Sequence, residues 1–296
     1  MSFKIYKPQI LRDLFTFMKL YMDSDVKLLA GGTDFMLMLE NNKIQPDLVI
    51  DLTAVQEMKG ITVIGDELCI GALTTMTELA ESALVRTYAP LLAEAAVSMG
   101  NLQVRNLATV GGNLANASRS ADVVPALIAL DAVAIINKDD GSRQELVEEV
   151  LRGSRKTSLA KDEVITFFKL KLAKVGTGMA YEKLGRRKSG AISLMTSNIV
   201  IEQTEGKITK ARLVFGVMTP SARRARPAED FLLGKTLTEK IATKAAEIAR
   251  SYIVEYIQMV RPADLDRKEL GYAYKLPVLE GVAKRCIISA YEKGGV

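Results

Sequence analysis

Lys27-Leu28-Leu29-Ala30-Gly31-Gly32-Thr33-Asp34-Phe35 is a short apolar run that ends on two glycines, a hydroxyl and an acid. A second stretch, Asn101-Leu102-Gln103-Val104-Arg105-Asn106-Leu107-Ala108-Thr109-Val110-Gly111-Gly112-Asn113-Leu114-Ala115-Asn116, repeats the glycine pair among hydroxyl and amide side chains, and Asp122 follows it. These two stretches decide the fold. The first has the pattern of a buried strand, a tight bend and the start of a helix. Glycine tolerates positive φ and lets backbone come close to a neighbour. Successive exposed N–H groups at such a bend form an anion-binding concavity, to which the Thr33 hydroxyl adds a donor. The first stretch fits neither GxGxxG nor GxxxxGK[ST], and each stretch taken singly is better explained as a plain turn than as a site. In the second stretch Asn and Thr side chains both donate and accept, as sugar hydroxyls and heterocycle edges require. So long a polar segment between apolar helices is costly to bury unless its groups find partners; a bound polar ligand is one source of them.

Composition narrows the chemistry. The chain has 296 residues, 48% of them hydrophobic, which suits one large domain plus a smaller one, or two lobes with an appended domain. It contains no histidine, which removes Ser-His-Asp and Cys-His catalysis, histidine-ligated zinc or haem, and a flavin tethered through imidazole. Its two cysteines, Cys69 and Cys286, are too few for an iron–sulfur cluster and lie in apolar patterns that suit packing. Any redox role must then rest on an organic cofactor. The net charge is +5, with basic clusters at Arg186-Arg187-Lys188 and Arg223-Arg224-Ala225-Arg226. Neither cluster has the interleaved aromatics of a nucleic-acid surface, so they read as solvated surface, or as contacts to an acidic partner or a cofactor phosphate. The most apolar stretch, Val123 to Ile136, is interrupted by Asp131 and is shorter than the roughly 18 residues of a membrane span. The first residues carry no apolar signal core, so a cytoplasmic protein is expected.

Outward from the first glycine pair, Lys4-Ile5-Tyr6 reads as a strand, Ile10 to Tyr21 as an amphipathic helix, and Asp47 to Asp51 as another strand: a small α/β lobe. From Ile61 the pattern turns to hairpins around Gly65-Asp66 and Asp139-Asp140-Gly141. Helices are expected after the capping box Thr75-Met76-Thr77-Glu78, from Pro90 to Met99, and over Val123 to Leu130, and a strand over Glu163 to Leu170. Beyond the linker Lys174-Val175-Gly176-Thr177-Gly178 come three strand patterns (Met179 to Lys183, Ala191 to Glu202, Lys210 to Met218) and two long helices, Thr238 to Ile257 and Leu276 to Tyr291.

Taken together, Ala30-Gly31-Gly32-Thr33-Asp34, Arg105-Asn106-Leu107-Ala108-Thr109-Val110-Gly111-Gly112-Asn113-Leu114 and Asp122 resemble the flavoprotein subunit of the molybdenum hydroxylases. That family includes the FAD subunits or domains of xanthine, carbon monoxide and nicotinate dehydrogenases. The resemblance covers nearly the whole chain. It implies an α+β FAD-binding fold of the vanillyl-alcohol-oxidase (PCMH) type over residues 1–176, with subdomains of about 1–55 and 56–176. Residues 177–296 would form a C-terminal domain of the CO-dehydrogenase-flavoprotein type, a small antiparallel sheet with helices. Non-covalent FAD would be held at its pyrophosphate by Leu28, Leu29, Ala30, Gly31, Gly32, Thr33, Asp34 and Phe35. Thr109, Val110, Gly111, Gly112 and Asn113 would hold the other side of the phosphates and the ribityl chain, and Asp122 a sugar hydroxyl. Met99 and Ile165 match cofactor-lining positions, while Lys183 and Ile192 would lie nearest the isoalloxazine ring. No catalytic side chain and no metal site is expected.

The resemblance further implies a molybdopterin-binding large subunit and a [2Fe-2S] small subunit as partners, in dimers of heterotrimers. Electrons would leave the flavin for an acceptor such as NAD. The alternative is a stand-alone flavin oxidase or reductase of the same fold. One departure bears on the acceptor: many relatives carry an acidic pair just after the double arginine, whereas this chain has Lys188, Ser189 and Gly190.

Overall fold

The structure, a computed structural model, describes residues 3–187, 190–267 and 271–295. The Lys188–Ser189 departure noted above lies outside the described residues. The chain begins with β1 (Lys4–Tyr6), α1 (Leu11–Leu20), β2 (Val26–Leu29), α2 (Phe35–Glu40) and β3 (Leu48–Asp51). The three strands form a parallel sheet in the order β1-β3-β2, with Ile50 opposite both Tyr6 and Leu28. Parallel neighbours need a crossover, which α1 and α2 supply. The helix α1 buries Leu14, Phe15 and Met18. Because β2 is an edge strand, its carboxyl end releases Ala30–Asp34 at the border of the lobe, where α/β sheets bind ligands.

The second lobe contains β4 (Ile61–Ile64), β5 (Glu67–Gly71), α3 (Met76–Glu81), α4 (Ala83–Tyr88), α5 (Pro90–Ser98), α6 (Leu102–Arg105), α7 (Val110–Ala115) and α8 (Val123–Ala129). It continues through β6 (Val133–Lys138), β7 (Gly141–Leu146), α9 (Val147–Val150), β8 (Leu151–Gly153), β9 (Lys156–Thr157) and β10 (Val164–Lys171). Five strands pair antiparallel in the order β4-β5-β10-β6-β7, so β10, last in sequence, becomes the centre. The expected capping box is present: Thr75 Oγ1 accepts from the Glu78 N–H at 3.2 Å and Glu78 accepts from the Thr75 N–H at 2.7 Å. The polar segment 101–116 is not an open loop. Asn101 caps α6, and Thr109 caps α7 by accepting from Gly112 N–H, so Gly111 and Gly112 sit in a helical turn. Of the four glycines in the two stretches only Gly32 is left-handed, at φ +71°.

The third part is β11 (Thr177–Gly185), β12 (Ser193–Thr204), β13 (Lys207–Gly216), β14 (Arg223–Arg224), α10 (Arg226–Leu232), α11 (Glu239–Val260) and α12 (Tyr272–Gly294). The strands form one antiparallel sheet in that order. Alternation along the strands divides its side chains between two cores. Ile199, Ile201, Leu213 and Phe215 pack under the C-terminal helices, while Met179, Val200 and Val214 join the core of the second lobe. The helix α8 touches both β12 and β13, and every one of its residues is buried.

The basic cluster at Arg223–Arg226 is folded in at Arg223 and Arg224 and exposed at Arg226. Arg223 lies 3.5 Å from the Tyr256 ring centroid, Arg224 pairs with Glu229 at 2.6 Å, and Arg226 pairs with Glu148 at 2.7 Å. Both cysteines are buried, and burial pushes the Cys286 thiol up to about 12, so it stays an unreactive thiol at neutral pH. No helix among the described residues is long and apolar enough to cross a membrane.

At Gly178, α12 rides directly on β11: a Cβ there would stand 1.7 Å from the Ala290 carbonyl oxygen and 2.5 Å from the Gly294 nitrogen. Both obstacles are backbone and cannot rotate away. Gly178→Ala should therefore lower the unfolding free energy by roughly 1–3 kcal/mol or more, measured as a shift of the urea midpoint. An unshifted midpoint would show that the helix does not seat there.

Candidate functional site

The two glycine stretches meet. A Cβ on Gly31 would stand 1.8 Å from the Leu107 carbonyl oxygen, and one on Gly111 would stand 2.7 Å from Ala72 Cβ. Glycine is needed here for contact between chain segments as much as for a ligand. The second stretch is tied down by Met76 N–H to Ala108 O at 3.0 Å, Val110 N–H to Thr74 O at 3.0 Å and Gly111 N–H to Ala72 O at 2.8 Å. Between the stretches opens a cleft of about 640 Å³, within the range of small-molecule sites. Leu28, Ala30, Gly31, Gly32, Thr33, Asp34, Phe35, Met99, Thr109, Gly111, Gly112, Asn113 and Ile165 all line it.

The walls offer different chemistry. The N–H groups of Gly31, Gly32, Thr33 and Asp34 have no protein acceptor among the described residues, and they stand in succession along the cleft. Such a run of free amides is an anion cradle. The second stretch instead spends its amides internally: Gly112 N–H donates to Thr109 Oγ1 at 3.1 Å and Asn113 N–H to Thr109 O at 2.9 Å. It offers side chains, above all Asn113, whose Oδ1 is buried without a donor. A buried acceptor left unmade costs free energy, so this atom marks where a donor belongs. Deeper in, Leu52, Met58, Leu73, Val104 and Ile165 form an apolar slot. Free amides, an orphan acceptor and an apolar slot fit a dinucleotide with a pyrophosphate, hydroxylated chains and flat rings.

Both carboxylates on the wall are tied to arginines. Asp34 binds Arg155, which also donates to Asn116 Oδ1; Glu163 accepts from Arg143 Nε at 2.7 Å and from its Nη2 at 2.8 Å. The Arg155 guanidinium holds the Asp34 carboxyl below its usual range, and Arg143 does the same for Glu163.

Five residues expected at the site do not line the cleft: Leu29, Val110, Asp122, Lys183 and Ile192. Asp122 is 6% exposed and accepts from Lys183 Nζ at 2.9 Å and from Ser193 Oγ. Lys183 also donates to Ser98 O at 2.9 Å, and Ser98 Oγ lies 2.7 Å from Tyr181 Oη. Asp122 and Lys183 thus bind one another across the junction of α8 and β11. Their chain neighbours on the cleft wall are Ala121 and, through Ser98, Met99. Ile192 is 78% exposed. Sequence reading missed Asn116, Ser118, Ser120 and the arginine ties to Asp34 and Glu163. Arg155 stands at φ +59° on the β8–β9 hairpin, and nothing in Gly153-Ser154-Arg155-Lys156 marks it as a binding residue.

Two α+β lobes closing on an amide-lined cleft, backed by a third sheet-and-helix unit, define a dinucleotide-cofactor cradle. The chain belongs to the family of FAD-binding domains in molybdopterin dehydrogenases, whose profile matches residues 1–170; the profile of the CO dehydrogenase flavoprotein C-terminal domain matches residues 179–261. The nicotinate dehydrogenase FAD-subunit of Eubacterium barkeri is 28% identical over 99% of this chain and 97% of its own. The carbon monoxide dehydrogenase medium chain of Hydrogenophaga pseudoflava is 30% identical over 92% of this chain and 91% of its own. A solved structure of carbon monoxide dehydrogenase from the latter organism superposes with a TM-score of 0.90 at 30% identity, over 99% of this chain and 98% of the other. FAD is the cofactor of this oxidoreductase subunit, and the cleft fits it.

Asn113→Ala and Gly31→Ala should part company. Removing the orphan Asn113 acceptor should leave the apo fold no less stable while raising the FAD dissociation constant roughly tenfold, the worth of one hydrogen bond. Gly31→Ala drives a methyl into the Leu107 carbonyl and should lose stability and flavin together. Fluorescence titration of FAD beside urea unfolding of the apoprotein separates the cases; equal flavin affinity in Asn113→Ala and wild type would remove Asn113 from the site.

Proposed function

We propose that this chain is the flavin subunit of a molybdenum-containing hydroxylase or dehydrogenase complex. It receives electrons from a [2Fe-2S] partner subunit, itself supplied by a molybdopterin-binding large subunit, and delivers them to an acceptor such as NAD. FAD, when bound, supplies the step between one-electron donors and a two-electron acceptor. The chain's own residues bind and shape. The amides of Gly31–Asp34 take the pyrophosphate, Thr109 and Gly111–Asn113 face the sugar-like chain, and the apolar slot excludes water. Asp122, Lys183 and Ile192 belong to the side where the third unit approaches the ring. We divide the chain accordingly into an FAD-binding domain of residues 1–176, with its subdomain break near 55, and a C-terminal domain of 177–296.

The observation that carries this reading is the absence, among the described residues lining the cleft, of a free acid or base. Asp34 and Glu163 are held by arginines, Lys27 is paired with Asp25 at 2.6 Å, and the chain has no histidine. A self-sufficient flavin oxidase or reductase needs a proton-transfer group beside its substrate. A conduit for electrons does not. The chain's two cysteines also oblige any cluster to reside on another polypeptide.

Native mass spectrometry of the complex from its own cells, with metal and flavin analysis, tests the assignment. The expected result is this chain with one FAD, together with a cysteine-rich chain and a molybdopterin-containing chain. Turnover by the isolated, FAD-loaded chain would overturn it.

A further inference from the structure

An FAD pyrophosphate brings two negative charges into a cleft whose walls carry two carboxylates, Asp34 and Glu163. Asp34 is the more exposed to conflict, because it is the last residue of the amide run Gly31–Asp34. Like charges brought into one cleft repel, so an unpaired carboxylate here would oppose the pyrophosphate. The structure meets this with a tie from outside the cleft. The β8–β9 hairpin turns at Arg155, whose N–H is anchored on Ala117 O at 2.8 Å. From there its guanidinium reaches Asp34 on one wall and Asn116 on the other. Arg155 is not itself part of the cleft lining, whereas both its partners are. Nor does Asp34 serve its own helix, since it makes no side-chain cap bond to α2. The second carboxylate follows the same scheme, with Arg143 gripping Glu163 through two nitrogens.

Resting on the FAD reading above, we propose that Arg155 is a positioning residue for the cofactor: it neutralises Asp34 and holds that carboxylate at the rim, so that the Gly31–Asp34 amides are free to take the pyrophosphate. Its partner Asn116, which directly follows α7, accepts from the same guanidinium and steadies it beside Asp34. Arg155 serves binding through Asp34 and need not touch the cofactor.

The test is a double-mutant cycle on the full chain, read as the FAD dissociation constant by flavin fluorescence. Arg155→Met should weaken FAD roughly tenfold or more, and the defect should shrink as salt rises, because it is a repulsion. Asp34→Asn alone should bind FAD as tightly as wild type or tighter. The pair Asp34→Asn with Arg155→Met should recover most of the loss, since no charge is then left to neutralise. Lys171→Met, which removes the same charge far from the hairpin, should bind FAD like wild type. If Arg155→Met fails to fold, Arg155→Gln serves instead, with the same expected weakening and the same rescue by Asp34→Asn. A double variant as weak as Arg155→Met, or an Arg155→Met protein that binds like wild type, overturns the proposal and leaves FAD binding intact. A wild-type chain that takes up no FAD overturns the cofactor reading along with it.

Discussion

Everything at the site depends on one close approach, the seating of Gly31 against the backbone of Leu107. It brings the bend after an edge strand of the parallel lobe onto the turn between α6 and α7 of the antiparallel lobe, with no side chain between them. That contact brings the free amides of residues 31–34 and the orphan oxygen of Asn113 to the walls of one cleft. The surrounding bonds serve it. The bonds from Val110 to Thr74 and from Gly111 to Ala72 hold the second wall on the segment after β5, and the Arg155 hairpin ties the outer rim. A rigid frame matters because a dinucleotide bound along its length loses affinity whenever its two walls drift apart.

The division of labour between the walls follows from their local structure. A chain leaving an edge strand into a bend has no helical or ladder partner for its N–H groups, so Gly31–Asp34 present amides. A chain folded into a capped turn has used its amides, so Thr109–Asn113 presents side chains. One wall suits an anion and the other suits groups that both donate and accept. Neither carries a group poised to move a proton, in keeping with a chain that holds a cofactor for partners to use.

Much of this was legible in the sequence wherever the cause is local. The Thr75–Glu78 capping box, the Gly65-Asp66 turn and the periodicity of α11 each write their signal within a few residues. The central place of β10 was not legible, because nothing in Val164–Lys171 says that it pairs with β5 and β6. The reason for the glycines was only half legible. Their spacing announced a close approach, and the structure adds that for Gly31 and Gly111 the close neighbour is protein backbone or an alanine. Arg155 and its tie to Asn116 were invisible, since the guanidinium of Arg155 meets a carboxylate 121 residues away. Asp122 and Lys183 were singled out separately, and their pairing across 61 residues emerged only in three dimensions.

The helix α8 has one more bearing on the molecule. It is buried on every side, with the second lobe on one flank and the strands β12 and β13 on the other, and the sheet it meets contributes Met179, Val200 and Val214 to the lobe's own core. Neither the lobe nor the sheet can lose the other without laying a continuous oily face open to water. In genetic terms, the stretch before Thr177 is a poor place to cut. A gene split there would encode two halves that must find each other to fold, and a foreign C-terminal unit grafted on would have to reproduce that inner sheet face residue by residue.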